Sequence, residues 1–203
     1  MTPEEFQRET GVSRETLDRL QAYADLLVKW QKSINLVGRS TLGDLWRRHM
    51  LDSAQLHPLL PEGARTLVDF GSGAGFPAMV LAILGVPDVH MIESDVRKGA
   101  FLREVARVTG VPVTVHSKRI EAMDAFPADV VSARALAPVA QLLDFAAPFL
   151  GPQTRCLFLK GQNVEAELTE AYTMWKMTVE RHPSRTESAA SILRLSEVRR
   201  EPA

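Results

Sequence analysis

The chain has 203 residues, 45% of them hydrophobic, which suffices for one domain with a full core and calls for no second catalytic domain. Its net charge of −1 creates no whole-molecule field that would draw in nucleic acid, so any such contact must come from local basic patches. One cysteine, Cys156, excludes a disulfide framework, and no apolar run approaches the roughly 18 residues of a membrane span, so a soluble cytoplasmic protein with no membrane contact is expected.

Thr2, Pro3 and Glu5 form a helix start with a capping box, and Gly11 closes this first helix. Ser13 opens a second helix, predicted over 13–33. Leu17, Leu20, Ala24, Leu27 and Val28 form its apolar stripe, with Arg14, Glu15, Asp18, Arg19 and Lys29 opposite. After a loop marked by Gly38, a third helix is predicted over 41–50, bringing Arg47, Arg48 and His49 close together. Asp52 and Ser53 cap one more short helix, which ends before Pro58. Residues 1–62 therefore read as a helical segment packed on a core formed by 63–203.

From Arg65 the pattern changes to strand-helix alternation, the signature of a parallel sheet with helices on both faces. Thr66, Leu67 and Val68 make the first buried strand, and Asp69-Phe-Gly-Ser-Gly-Ala-Gly-Phe-Pro77 follows. Its glycines give a turn without side chains, into which a ligand can approach the backbone. Pro77 suits the first helical position, so the expected outcome is a helix N-terminus with free N–H groups. This helix, with Met79, Val80, Leu81 and Ile83, is broken at Gly85. A second strand, 88–93, ends in Glu93 and leads into a helix from Asp95 to Gly110. Strands at 112–116 and 129–133 come next, then a helix opened by Pro138 and broken near Pro148, and a strand at 155–159. A helix over 164–175 precedes two alternating runs, 176–181 and 191–198, that pair as a terminal hairpin.

The glycine spacing selects the ligand. A dinucleotide fingerprint needs a small residue where Phe76 stands, and a P-loop needs Lys and then Ser or Thr where Phe76 and Pro77 stand. What remains is acid-x-Gly-x-Gly-x-Gly after one strand, with a second acid, Glu93, at the end of the next. This pattern resembles the cofactor loop of Rossmann-like class I S-adenosylmethionine-dependent methyltransferases. The resemblance implies an α/β fold with a seven-stranded, mostly parallel sheet behind the N-terminal helices.

Several further words, in one order, narrow the resemblance. They are Trp30 with Asn35-Leu36, Arg48-His49-Met-Leu-Asp52-Ser53, Glu93-Ser94 with Arg97-Lys98 and Phe101-Leu102, Arg119-Ile-Glu121, Ser132-Ala-Arg134-Ala135-Leu136, and Leu159-Lys160-Gly161. Together they resemble the bacterial 16S ribosomal RNA guanine-N7 methyltransferase family, RsmG or GidB, over residues 27–161. Ala78, where that family usually has glycine, is a departure of little consequence, since Ala is a good helix residue. The resemblance implies S-adenosyl-L-methionine as cofactor and, as partner, 16S ribosomal RNA or the small subunit, methylated by a monomer. It places Gly71, Gly73 and Phe76 at the cofactor through the loop, Glu93 and Ser94 at the ribose, and Ile120 and Glu121 beside the adenine. Arg134 falls near the methionine end or the incoming base, as the candidate catalytic residue. Asn35, Arg47, Arg48, His49 and Lys160 are the candidate RNA contacts.

Each of these positions also has a plainer reading. Ile120 suits the core, Glu121 a helix cap, Arg134 a pair with a nearby acid, His49 a packing role and Asn35 a loop. The chemistry agrees with a short list of actors: the N7 lone pair of guanine is free to attack, so positioning suffices and no general base is required. No metal-spaced histidine cluster appears, and Cys156 lies in mid-strand, as a core thiol would. Ser132-Ala133-Arg134-Ala135 replaces the Asp/Asn-Pro-Pro-aromatic word of exocyclic-amine enzymes. Two other readings stay open: a small-molecule methyltransferase, and a non-catalytic ribosome-binding protein that holds the cofactor.

Overall fold

The computed structural model describes residues 1–201 and opens with two helices, α1 (Pro3–Thr10) and α2 (Arg14–Trp30). The Thr2 capping box forms: the Glu5 N–H donates to Thr2 Oγ1, and the Thr2 N–H to the Glu5 carboxylate. The helix predicted over 13–33 stops at Trp30, because the Gln31 side chain satisfies the loop that follows. Its Oε1 accepts from the N–H groups of Leu36 and Val37, and its Nε2 donates to the Val37 carbonyl. Leu20, Ala24 and Leu27 of the predicted stripe are buried with Tyr23, whereas Val28 lies 43% exposed beyond its edge.

The helix predicted over 41–50 is two short pieces, a 3₁₀ segment Arg39–Asp44 and a π segment Trp46–Leu51, and the further short helix expected at Asp52 and Ser53 follows as α3 (Asp52–Ala54), with those residues inside it rather than capping it. Thr41 Oγ1 donates to the Gly38 carbonyl and tightens the first piece. The wider π turn sets Trp46, His49, Met50 and Leu51 inward together. Such turns are rare in helices and concentrate at functional sites.

Five parallel strands follow: β1 (Thr66–Phe70), β2 (Asp88–Ile92), β3 (Thr114–His116), β4 (Val130–Arg134) and β5 (Arg155–Lys160). The terminal hairpin, β6 (Trp175–Pro183) and β7 (Ser191–Arg200), joins the sheet through β7, antiparallel to β5. The order is β3-β2-β1-β4-β5-β7-β6. β1 therefore lies between β2 and β4, and the connections leave it in opposite directions. Ligand clefts open at such a switch point, beyond the carboxyl ends of the strands.

Between the strands lie α4 (Ala78–Ile83), α5 (Val96–Thr109), α6 (Val139–Ala146) and α7 (Val164–Ala171). Pro77 caps α4 from outside, after a cis bond to Phe76, rather than filling its first position. A 3₁₀ turn, Ala147–Phe149, marks the break at Pro148. The predicted strand at 112–116 shortens to β3, and the helix predicted over 164–175 ends at Ala171 because Trp175 opens β6, buried on the sheet. One core cluster joins α1 and α2 to Leu67, Met79 and Phe101, while another packs α6 and α7 against Phe70, Phe158 and Leu193.

Candidate active site

At the end of β1 the chain turns through Gly71, at φ 61°, where a Cβ would stand 2.8 Å from Leu136 Cδ1. Gly75, at φ 99°, is tighter, since a Cβ there would lie 2.6 Å from the Tyr23 hydroxyl and 2.9 Å from Met79 Cβ. Only glycine tolerates both the conformation and the contact. Tyr23 donates its hydroxyl proton to the Ala74 carbonyl, so α2 clamps the loop from below. From above, Glu93 accepts the N–H groups of Gly73 and Asp95, each at 2.8 Å. The loop thus has its Gly73 N–H engaged by Glu93, where the sequence reading left it free.

Beneath the loop Asp69 is fully buried. Its Oδ1 accepts from Ser132 Oγ at 2.6 Å, and its Oδ2 has no partner. Burial raises its pKa to about 6, opposed by the Ser132 and Ser72 hydroxyls and the Arg134 charge.

Two recesses meet at this loop. The first, of about 380 Å³, brings together Gly71, Gly73, Glu93, Ser94, Ile120 and Glu121. Phe76 belongs instead to the neighbouring cleft, of about 550 Å³, where it is nearly buried beside His49 and Arg134. Gly71, Gly73 and Ala135 border both.

Arg134, at the exit of β4, is held in the cleft on several sides. It donates to Asp52 Oδ2 at 3.2 Å, to the Arg48 carbonyl at 3.3 Å and to His49 Nδ1 at 3.0 Å. Its guanidinium lies 5.0 Å from the centre of the Phe76 ring. Phe76 in turn stacks on His49 at 5.0 Å and on Tyr23 at 5.3 Å. Arginine can only donate, so His49 Nδ1 is the acceptor and the ring proton sits on Nε2, 2.8 Å from Thr41 Oγ1. Burial, with the Arg134 and Arg48 charges, lowers the His49 pKa to about 3. At neutral pH it is an uncharged orienting group for Arg134, with no charge to offer a phosphate.

The remaining predicted contacts divide. Arg48 lines the cleft and pairs with Glu187 at 2.6 Å. Lys160 also borders the cleft, but its ammonium is nearly buried, paired with Glu167 at 2.6 Å and donating to the Ala137 carbonyl at 2.9 Å. Arg47 lies outside, donating to the Arg185 carbonyl beside α1. Asn35 lies outside too, on a surface recess with Gln31 and Arg39. Asp52, expected only as a helix cap, is the acid that pairs with Arg134, and the fold also brings Tyr23, Thr41 and the turn carrying Thr186 and Glu187 to this site, none of which the sequence marks as functional. The partners of Asp52, Tyr23 and Thr186 are far away in the chain, and no local spacing signals them.

Cys156 is fully buried in β5, and burial pushes its thiol up to about 12, so it is no thiolate nucleophile. Among the described residues no group of three or more His, Cys, Asp or Glu could hold a metal ion.

A seven-stranded sheet ending in an antiparallel hairpin, a glycine loop after β1 and a carboxylate after β2 define a Rossmann-like S-adenosylmethionine-dependent methyltransferase. The fold is shared with a ribosomal protein L11 methylase from Lactobacillus delbrueckii subsp. bulgaricus, with a TM-score of 0.59 and 15% identity over 74% of this chain and 77% of that one. It is shared equally with an S-adenosylmethionine-dependent O-methyltransferase from Thermotoga maritima, with a TM-score of 0.59 and 16% identity over 89% of this chain and 73% of that one.

The family model GidB, rRNA small subunit methyltransferase G, matches residues 16–193, and the chain belongs to that family. A ribosomal RNA small subunit methyltransferase G from Rhodospirillum centenum is 64% identical, over 96% of this chain and 90% of that protein. Its counterpart from Paramagnetospirillum magneticum is 60% identical over 98% of each.

Proposed function

We propose that this protein transfers the methyl group of S-adenosyl-L-methionine to N7 of a guanine in 16S ribosomal RNA. The observation that carries the choice of N7 is that, among the described residues, neither titratable group bonded to the Arg134 side chain is free to act as a base, while Glu187, the other carboxylate of the cleft, is held by Arg48 at its mouth. His49 is neutral and bonded at both ring nitrogens, and both Asp52 oxygens are engaged. An exocyclic amine must shed a proton, and cytosine C5 needs a thiolate, whereas N7 needs neither.

The residues present fit the cofactor. Glu93 lines the recess beside the glycine loop and supplies negative charge toward a positively charged cofactor. Glu93, oriented by two backbone N–H groups, accepts from the ribose hydroxyls, with Ser94 alongside, and Ile120 and Glu121 flank the adenine. The cofactor supplies an electrophilic methyl group. Arg134, preorganised by Asp52, His49 and Phe76, directs its remaining N–H groups to the incoming base, and catalysis then rests on holding that base in line with the methyl. Arg48 at the mouth meets RNA phosphate. In this reading segments 1–62 and 63–203 act as one unit, a cytoplasmic monomer.

The test is mass mapping of N7-methylguanine in ribosomal RNA from a strain lacking the gene, then incubation of its small subunits with purified protein and cofactor. Loss of one modified guanine and its restoration are expected. Retention of every N7-methylguanine in the deletion strain would overturn the reading.

A further inference from the structure

Two carboxylates line the cleft beside the glycine loop among the described residues, Asp52 and Glu187. Asp52 is committed to the protein: Oδ1 accepts from Thr186 Oγ1 at 2.7 Å and Gln55 Nε2 at 3.0 Å, and Oδ2 accepts from Arg134. Glu187 is not. Its ion pair is with Arg48 at the mouth, its side chain is 45% exposed, and the hydrogen bond and charge of Arg48, helped by the Ala189 and Ser188 backbone N–H groups, hold its carboxyl below the usual range, so it is ionised. An exposed pair of this kind is weak and readily exchanged for other partners.

The turn that carries Glu187 is nonetheless anchored. The Arg185 N–H donates to Gln55 Oε1 at 2.9 Å, and Thr186 is tied to Asp52. These bonds fasten the β6–β7 turn to the same short segment whose Asp52 orients Arg134, and Glu187 lines the cleft together with Gly71, Gly73 and Arg134.

Guanine presents two adjacent donors, N1–H and the 2-amino group, on the edge away from N7, and a carboxylate with two oxygens matches them. Methylation adds an electrostatic demand. The N7 lone pair forms the bond to the methyl carbon, the electron pair of the broken carbon–sulfur bond stays on sulfur, and the positive charge passes to the base with no proton moved. A carboxylate bonded to that base stabilises the charge as it develops, more than it stabilises the neutral ground state.

Resting on the functional reading above, we propose that Glu187 is a specificity-determining residue that accepts from N1–H and the 2-amino group of the target guanine and offsets the charge the base acquires. RNA phosphate takes its place on Arg48 when substrate enters. No basic group is needed for this, and a purine without a 2-amino group forfeits one of the two bonds.

The experiment compares the wild-type protein, Glu187→Gln and Glu187→Ala on small-subunit RNA with guanine or inosine at the target position, since inosine lacks the 2-amino group. The wild type is expected to favour guanine about tenfold in kcat/KM. Both variants should lose about tenfold or more on guanine, with unchanged cofactor affinity by calorimetry and unchanged thermal unfolding, and Glu187→Ala should bring the guanine-to-inosine ratio close to one. A ratio in Glu187→Ala equal to that of the wild type overturns the assignment, as does faster transfer by Glu187→Gln, which would make the ion pair a simple latch. No transfer by the wild type to guanine RNA overturns the functional reading and this assignment together, whereas transfer with an unaltered ratio overturns only the role of Glu187.

Discussion

His49 and Asp69 are buried on either side of Arg134, and burial drives their protonation in opposite directions. For His49 the folded pKa falls to about 3 from 6.5, so in that window the unfolded chain carries the proton and the folded chain does not. Its contribution to stability is present above pH 6.5 and is lost as the pH falls toward 3. For Asp69 the folded pKa rises to about 6 from 3.8, so the folded chain holds the proton longer, and stability falls as the pH rises through that window. We predict that His49→Gln, whose amide can accept from Arg134 and donate to Thr41, reduces the loss of stability on acidification, while Asp69→Asn removes the opposing fall. Each change should be on the order of 1 kcal/mol. Urea unfolding of both variants across the acid range checks the signs, and parallel curves for variant and wild type would contradict the assignment. At the same scale, Glu93→Ala should weaken cofactor binding by roughly tenfold to a hundredfold, measured by calorimetry, through lost charge-assisted hydrogen bonds.

Among the elements, the contact that matters most joins α2 to the glycine loop. Tyr23 donates to the Ala74 carbonyl and stacks on Phe76, which supports both His49 and Arg134. Tyr23→Phe keeps the ring and deletes the donor, leaving a buried carbonyl unsatisfied. A loss of about 1–3 kcal/mol in stability is expected, with weaker cofactor binding. Gly75→Ala should cost more, because it combines positive φ with the crowding from Tyr23 and Met79. Thermal unfolding and cofactor titration of both variants test this order. The amphipathic period announced α2 correctly, and Leu20, Ala24 and Leu27 do face the core. No local spacing marks Tyr23, whose partner lies 51 positions on. The 3₁₀ and π pieces between Arg39 and Leu51 were read as one helix, since their apolar spacing is close to helical and only tertiary packing widens the turn.

At the scale of the whole molecule, the cations that line the large cleft are all paired. Arg48, Lys160 and Arg134 all line the cleft, and each has a carboxylate partner. Under the proposed function, RNA phosphate replaces Glu187 on Arg48, the exposed pair at the mouth of the cleft. Affinity for small-subunit RNA, followed by anisotropy over a salt series, should fall as salt rises. Arg48→Ala should reduce that slope by about one phosphate contact. An unaltered slope would place Arg48 outside the RNA path.

The chain order of apolar runs, glycines and acids by itself determined the parallel sheet, the loop between Asp69 and Pro77, and Glu93 as its neighbour, because each is encoded in local spacing and in one crossover between adjacent strands. Only the tertiary structure decided that Phe76 supports Arg134 beside the glycine loop, that His49 is neutral, that Arg47 and Asn35 stand outside the cleft, and that the β6–β7 turn brings Glu187 into it. Those facts depend on burial and on hydrogen bonds between residues up to 139 positions apart, which no local period records.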